Sequence, residues 1–278
     1  MQHLMRTAAV VIGATGATVG AAYGVLSKQG QRARRDIMIP GWLPLRADGI
    51  YFPGCTGPPP AAPDYARPGT AVHLTMLGDS LGAGLGVDHA EQLPGVVLAR
   101  GLAEETGRPV LLDTLAICGC TSRRLSGQVD TALLDPPDVA IIVIGANDVT
   151  RRLAPRESAH LLGAAVSRLR AAGTTVIVGT CPDLGAIRLI PQPLRAIAHT
   201  SSRTLARLQH DAVSQAGGIP VPLAQLLAQE FLTQPDVLFS RDHYHPSAAG
   251  YAAICAVLLP ALRDGCSSST ANPGSGGP

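Results

Sequence analysis

From Ala71 onward, short unbroken apolar runs alternate with segments in which apolar residues recur at helical spacing. The four runs are AVHLTML, PVLLDTLAI, DVAIIVIG and TTVIVGT. Strands that are apolar on both faces and alternate with helices predict a parallel sheet covered by helices on both sides. Helical patterns from about Leu194 to Gln215 and from Ser247 to Leu262 complete a predicted three-layer α/β/α sandwich.

This sandwich is predicted to occupy residues 71–264, after an N-terminal region of different character. The stretch from Ala8 to Leu26 carries no charge and is long enough to cross the hydrocarbon layer of a membrane. Residues 1–35 are therefore predicted to be a signal peptide or a membrane anchor with a basic flank, and the protein to be exported, either secreted or bound to the cell envelope. Because the stronger basic cluster follows the apolar stretch, a cytosolic orientation stays open.

Two further segments lack the patterns of a packed core. Residues 36–70 are rich in proline and glycine and show no sustained periodicity, so they are predicted to form a linker or an irregular strap. Residues 265–278, GCSSSTANPGSGGP, are too polar and too small to form a core and are predicted to be a disordered tail.

Charge and cysteine usage exclude several classes of partner. Residues 1–35 contain five basic residues and no acid, so subtracting them from the formal net charge of +2 leaves −3 for the remainder. No basic stripe is present to follow a phosphate backbone, and nucleic acid is not expected as a partner. The six cysteines are compatible with disulfides, but their spacing does not match a zinc site. Neither a cofactor nor a metal is predicted.

One competing interpretation rests on the N-terminal glycines. The sequence VVIGATGATVGAA resembles a dinucleotide-binding loop, and Asp36 lies 20 residues after Gly16, where a ribose-binding acid would be placed. However, the helix that should follow, from Ala17 to Leu26, has no polar face, and no second apolar strand follows it. A nucleotide-dependent oxidoreductase is the remote alternative, and it would lose its activity on removal of residues 1–35.

Polar clusters follow the predicted strands, at the edge where open parallel sheets place their active sites. The first strand ends in GDSLGAG, in which glycines around Ser80 allow a sharp turn that exposes the hydroxyl group. Gly119 follows the second strand, and GAND, with Asn147, follows the third. Near the C-terminus, RDHYHPSAAGY places Asp242 three residues before His245. Each fragment alone has an ordinary structural explanation, such as a helix cap, but their combination in order is far more specific.

These residues resemble the SGNH (GDSL) hydrolase family, whose four sequence blocks contribute a serine, a glycine, an asparagine and a histidine. The resemblance covers roughly Val72 to Leu262 and is greatest to exported esterases of mycobacteria and other actinobacteria. It departs from the family at LAICGCTS, where Gly119 is not preceded by the usual asparagine. The resemblance implies a flavodoxin-like, mostly parallel sheet and makes residues 71–264 a catalytic domain.

The resemblance also implies a role for each residue. His245 would take the proton of Ser80 during attack on an acyl carbonyl and return it to the leaving alcohol, while Asp242 would orient the imidazole. The implied oxyanion-hole donors are the backbone N–H groups of Ser80 and Gly119 and the side-chain amide of Asn147. The two acids that follow Gly78 and Asn147, namely Asp79 and Asp148, are interpreted as structural.

Two further features have more than one interpretation. Asp242, His243 and His245 together could bind a metal, but no further ligand is apparent in the sequence, so His243 is expected to be dispensable. The apolar residues of the loop after the fourth strand either fill the core or wall a substrate pocket, with neither favoured. They are Ile187, Leu189, Ile190 and Pro191.

The leading functional prediction is a serine carboxylesterase for short- to medium-chain acyl esters that forms an acyl-enzyme intermediate. An O-deacetylase of a cell-envelope polysaccharide would use the same residues and is the main alternative. A catalytically silent binding protein of the envelope is a third. The expected partner is a small-molecule, lipid or glycan ester, with membrane association through the N-terminal segment.

Overall fold

The computed structural model describes residues 43–55 and 71–270, together with residues 24, 28 and 29. Its centre is a sheet of six strands in the order β1-β3-β2-β4-β5-β6. The strands are β1 (Gly49–Tyr51), β2 (Val72–Gly78), β3 (Val110–Thr114), β4 (Val139–Val143), β5 (Thr175–Gly179) and β6 (Ile219–Val221). β1 pairs antiparallel with β3, and every other pairing in this sheet is parallel. Without β1, the order is that of flavodoxin-like sheets.

Ten helices accompany these strands in the described part of the chain. They are α1 (Ser80–Ala83), α2 (Pro94–Thr106), α3 (Leu125–Ala132), α4 (Ala146–Thr150), α5 (Pro155–Ala171), α6 (Leu194–Gln215), α7 (Leu223–Leu226), α8 (Ala228–Thr233), α9 (Pro235–Leu238) and α10 (Ala248–Thr270). Short 3₁₀ turns lie at Ala90–Gln92, Ser122–Arg124 and Leu184–Ala186. The predicted α/β class with a mostly parallel sheet is confirmed, and α6 has the predicted bounds.

Burial on both faces explains why the strands read as continuous apolar runs. All five residues of β4 are buried, and they alternate between the two sides of the sheet. Ile141 and Val143 pack into the layer that contains α2 and α10. Ala140 and Ile142 pack into the opposite layer, which contains α3, α5 and α6. The chain therefore forms the predicted three layers.

The structure corrects two predicted boundaries. Gly49–Tyr51, predicted to belong to the linker, adds a sixth strand at the edge of the sheet, where Tyr51 is buried. A three-residue strand is too short to show a periodic pattern. Helix α10 continues to Thr270, beyond the predicted end of the domain, and a Cβ on Gly265 would lie 2.8 Å from Cγ2 of Thr175. Contact with the sheet thus extends this helix into the segment predicted as a disordered tail.

Among the residues described, one helix is long and apolar enough to cross a membrane, over Ala248–Cys266. Nearly half of it is buried, and Tyr251 and Leu258 belong to the core, so it packs as an internal helix of the domain. The predicted signal or anchor, the nucleotide-loop alternative and the final residues 271–278 lie outside the described residues, as does most of the predicted linker.

Candidate active site

Ser80 lies at the first position of α1, immediately beyond the carboxyl end of β2. The chain turns at Gly78, whose φ is 121° and where a Cβ would lie only 1.9 Å from the carbonyl oxygen of Val143. Only glycine fits there. Asp79 then caps α1, because its Oδ1 accepts a hydrogen bond of 3.0 Å from the backbone N–H of Leu81. The motif thus fixes the serine hydroxyl at the switch point between β2 and β4.

The loop before α10 brings a carboxylate and an imidazole to this serine. Oδ1 of Asp242 accepts hydrogen bonds from Ser240 Oγ at 2.8 Å and from the backbone N–H groups of Tyr244 and His245, both at 2.9 Å. Oδ2 of Asp242 lies 2.6 Å from Nδ1 of His245, and Nε2 of the same ring lies 3.0 Å from Ser80 Oγ. With Nδ1 donating to the carboxylate, Nε2 can accept the serine proton.

The three side chains are almost removed from solvent. Ser80 is 8% exposed, Asp242 5% and His245 7%. Burial acts to raise the pKa of Asp242, but the hydrogen bond and charge of His245 and two backbone N–H groups outweigh it, so that the pKa lies below its ordinary value. The carboxylate therefore stays ionised and can stabilise a protonated imidazole.

The residues predicted to hold an oxyanion follow two other strands of the sheet. Gly119 lies in the turn after β3 with a φ of 75°. Asn147 is on α4, directly after β4, and its Nδ2 donates a hydrogen bond of 3.4 Å to Oδ2 of Asp79. Asp79 is fully buried, and this burial raises its pKa to about 6, chiefly by desolvation. Asp79 therefore holds both the turn that carries Ser80 and the amide of Asn147.

Asp148 anchors a different part of the site. It is fully buried and accepts hydrogen bonds from the backbone N–H of Ser122 at 2.9 Å and from its hydroxyl at 2.6 Å. The hydroxyl of Ser158 on α5 donates to the same carboxylate at 2.6 Å. Asp148 thereby ties the chain after the Gly119 turn to α4 and α5. These contacts support the structural role expected for it.

Sequence reasoning missed two buried glutamines that hold the strand ends. Gln128 on α3 accepts a hydrogen bond from the N–H of Gly78 at 2.7 Å and donates one to the carbonyl of the same residue at 2.8 Å. Its Nε2 also lies 3.3 Å from Sγ of Cys120, next to the Gly119 turn. Since β3 ends short of Gly78, this amide replaces a neighbouring strand. A single polar residue in a helical pattern gives no sign of such a role.

The second glutamine acts at the neighbouring strand ends. Gln209 on α6 accepts from the N–H of Cys181 at 2.7 Å and donates to the carbonyl of Ile144 at 3.0 Å. Tyr251 on α10 completes the frame, because its buried hydroxyl lies 2.8 Å from the carbonyl of Leu85 and 3.3 Å from that of Ser80. These contacts link the serine turn to helices distant in sequence.

An apolar pocket opens beside Ser80 and His245. Asp183 is the one acid in its wall, and the other lining side chains are mostly aliphatic or aromatic. Those that define its depth are Leu184, Ile187, Leu223, Leu227, Phe231, Phe239 and Ile254. Ile187 therefore lines the pocket, whereas Ile190 is buried in the adjoining cluster and Leu189 and Pro191 are partly buried outside the pocket wall. The short helices α7 and α8, which the sequence did not reveal, supply one side of it.

The residues of the alternative metal site, Asp242, His243 and His245, are not placed as a set of metal ligands. His243 adopts a φ of 54° and is exposed, while both ring nitrogens of His245 are within hydrogen-bond distance of Asp242 or Ser80. Within the described ranges, no three histidine, cysteine or acidic side chains are grouped as metal ligands would be.

A mostly parallel sheet with a serine, a histidine and a carboxylate in hydrogen-bonded order at its switch point is typical of serine hydrolases. Comparison with known proteins narrows this class. The sequence model described as the GDSL-like lipase/acylhydrolase family matches residues 76–253. The GDSL-like esterase Rv1075c of Mycobacterium tuberculosis is 48% identical over 255 residues, which cover 91% of this chain and 80% of that protein. The chain belongs to the GDSL-like lipase/acylhydrolase family and is a hydrolase of ester bonds.

Solved structures share the fold. The crystal structure of TesA matches with a TM-score of 0.57 and 23% identity, covering 69% of this chain and 99% of that one. The lipase/acylhydrolase from Enterococcus faecalis matches with a TM-score of 0.54 and 20% identity, covering 69% and 96%. The predicted fold is thereby confirmed, and the sequence matches confirm the predicted family.

Proposed function

We propose that the protein is a serine carboxylesterase in which Ser80 is the nucleophile, His245 the general base and Asp242 the group that orients the imidazole. In this mechanism Nε2 of His245 takes the proton of Ser80 as Oγ bonds to the acyl carbon. The tetrahedral intermediate collapses when the C–O bond to the alcohol breaks, and His245 returns the proton to that oxygen. Water activated by the same imidazole then releases the acid from the acyl-enzyme.

The observation that carries this proposal is the chain of short contacts from Asp242 through His245 to Ser80, at 2.6 and 3.0 Å. The developing negative charge on the carbonyl oxygen would be met by the N–H groups of Ser80 and Gly119 and by the amide of Asn147. Asn147 would exchange its long bond to Asp79 for one to the substrate oxygen. Such donors act mainly in the transition state, so they favour kcat over binding.

The pocket supports acyl chains longer than acetyl. Leu227 and Phe231 are among the many apolar side chains that line the pocket. An acetyl group is too small to contact most of this apolar surface. A short- to medium-chain acyl group would displace water from it. The O-deacetylase alternative predicts instead that acetyl esters are the best substrates.

Labelling and kinetics test the proposal together. Ser80→Ala should abolish labelling by a fluorophosphonate probe and lower kcat on a panel of acyl esters by about 10⁴- to 10⁶-fold. Ser126→Ala, at an exposed serine, is the matched control and should behave as wild type. A Ser80→Ala enzyme that kept more than about a tenth of its activity would exclude this mechanism.

Two histidines in one loop give a second matched pair. His245→Ala should be nearly as damaging as loss of the nucleophile, whereas His243→Ala should be mild, because His243 is exposed and outside the contact chain. Chelation by EDTA should leave hydrolysis intact, since the proposed mechanism needs no Lewis acid. A severe defect in His243→Ala, or metal-reversible loss of activity, would restore the metal hypothesis.

We further propose that residues 1–35 export the protein and that the catalytic domain, expected from the sequence at residues 71–264, also includes the strand Gly49–Tyr51 and the helix that ends at Thr270. Fractionation of cells that produce the full chain, with protease protection of its C-terminus, tests the location. A chain that begins at residue 36 should keep its esterase activity. Loss of that activity would contradict this division of the chain.

A further inference from the structure

Arg151 lies near two of the proposed oxyanion-hole residues, Gly119 and Asn147. It follows α4 four positions after Asn147, so the two residues share a helix face, and its backbone N–H bonds to the Asn147 carbonyl at 2.9 Å. Its guanidinium also reaches the turn after β3, because Nη2 lies 3.3 Å from the position that a Cβ on Gly119 would occupy. The Arg151 side chain is exposed.

Two more arginines surround the same turn. Arg46 and Arg124 line a groove along Ile117 and Cys120, and no acid is among the described residues that line it. Both charges act on the cysteines of the turn. Burial and Asp79 raise the pKa of Cys118 to about 11, and Arg46 opposes them; Arg124 opposes the same effects on the pKa of Cys120.

These cations are poorly neutralised. Arg46 pairs with Asp48 at 3.7 Å, whereas the ion pairs found within the described ranges include neither Arg124 nor Arg151. Asp79 and Asp148 are fully buried and bonded to their own partners, whereas Asp48 is exposed beside Arg46. The guanidinium groups of Arg124 and Arg151 therefore leave positive charge exposed at this end of the site.

The apolar pocket lies on a different side of Ser80. Its lining includes Ser80 and His245 but neither Gly119, Asn147 nor Arg151. Asp183 in its wall pairs with Arg203 at 3.6 Å and with His199 at 2.8 Å, and no lysine or arginine is among the described residues that line the pocket. An ester that placed its acyl chain in this pocket would leave its alcohol portion to extend toward solvent and the positive surface.

We propose that the preferred substrate is an ester of an apolar acyl chain with an alcohol that carries an anionic group, a carboxylate or a phosphate, and that Arg151 binds this group. Arg124 and Arg46 add to the local positive potential. This inference rests on the proposed esterase function and assigns a substrate class to it. Arg151 is thus a specificity-determining residue. It binds the anionic group of the alcohol, whereas the oxyanion is bound by the uncharged donors named above.

A pair of chromogenic esters isolates the charge. Both are octanoates of 4-nitrophenol, with a carboxylate or a carboxamide at ring position 3, so that size is matched, and division by the rate of hydroxide-catalysed hydrolysis of each ester corrects for the different leaving-group acidity of the two phenols. Wild-type enzyme should have a higher kcat/KM for the carboxylate, mainly through KM, and added NaCl should reduce that preference. Arg151→Gln should lower kcat/KM for the carboxylate by about tenfold, with the carboxamide changed by less than about twofold.

The controls separate charge from structure. Arg151→Lys should recover part of the preference, because the ammonium keeps the charge but not the fork of donors. Arg152→Gln, at the neighbouring exposed arginine, should leave the preference intact. An equal loss on both esters would make Arg151 an oxyanion or structural residue and overturn the inference, as would a wild-type enzyme without preference. Failure of the proposed function looks different, because neither ester would then require Ser80.

Discussion

Replacement of Gln128 by leucine should weaken both the fold and the catalytic step. Leucine has a similar volume to glutamine, but it is apolar and cannot form either hydrogen bond to Gly78. The Gly78 carbonyl would retain the N–H of Ile117 at 3.1 Å, whereas the N–H of Gly78 would lose the partner that the amide provides. A buried unsatisfied N–H costs about 1–3 kcal/mol.

Allowing for the second lost bond and for the better burial of leucine, we expect a loss of about 2 kcal/mol in the free energy of unfolding. For a domain of this size that corresponds to a fall in Tm of about 4–8 °C. The effect on kcat should be about tenfold or more, because Ser80 is two residues from Gly78 and Gly119 precedes Cys120, the other contact of this amide. KM should change little, since the apolar pocket is not touched.

Thermal unfolding and steady-state hydrolysis of one neutral ester, measured well below Tm, give both quantities. Leu169→Ala is the matched control, because Leu169 is fully buried in the same layer but distant in sequence from the strand ends that form the site. It should lose about 2–5 kcal/mol of stability and keep its kcat. If Gln128→Leu lost stability with an unchanged kcat, or if Leu169→Ala lost kcat equally, the positioning role of Gln128 would be refuted.

Two other changes test the Asp79–Asn147 pair. Because the folded-state pKa of Asp79 is raised from 3.8 to about 6, its contribution to stability is complete below pH 4 and is lost as pH rises to about 6, an effect of about 3 kcal/mol. Asp79→Asn should therefore raise Tm relative to wild type above pH 6 and show no advantage at pH 4; a constant difference across this range would contradict the assignment. Asn147→Ala should lower kcat by roughly 10²- to 10³-fold with little change in KM, whereas a purely structural asparagine would lower only Tm.

The class of fold and the order of the site residues along the chain follow from sequence patterns. Apolar runs that are buried on both faces leave a parallel sheet as the solution, and such a sheet brings the carboxyl ends of its strands to one edge. Ser80, Gly119 and Asn147 follow successive strands, so the pattern predicts that they lie close together. The short spacing of Asp242 and His245 likewise favours a direct contact between them.

The surroundings of those residues depend on contacts between elements that are distant in sequence. Gln128 and Gln209 bond to backbone groups far away in sequence, and a buried amide in a helix has no periodic signal that names its partner. The strand at Gly49–Tyr51 and the extension of the last helix to Thr270 depend on contact with the sheet, which overrides weak local propensity. The nearness of Arg151 to Gly119 has the same origin. The hydrophobic periodicity of a sequence predicts which side of a helix or strand is buried. It does not predict which residues that side contacts, because those contacts depend on how the elements pack together.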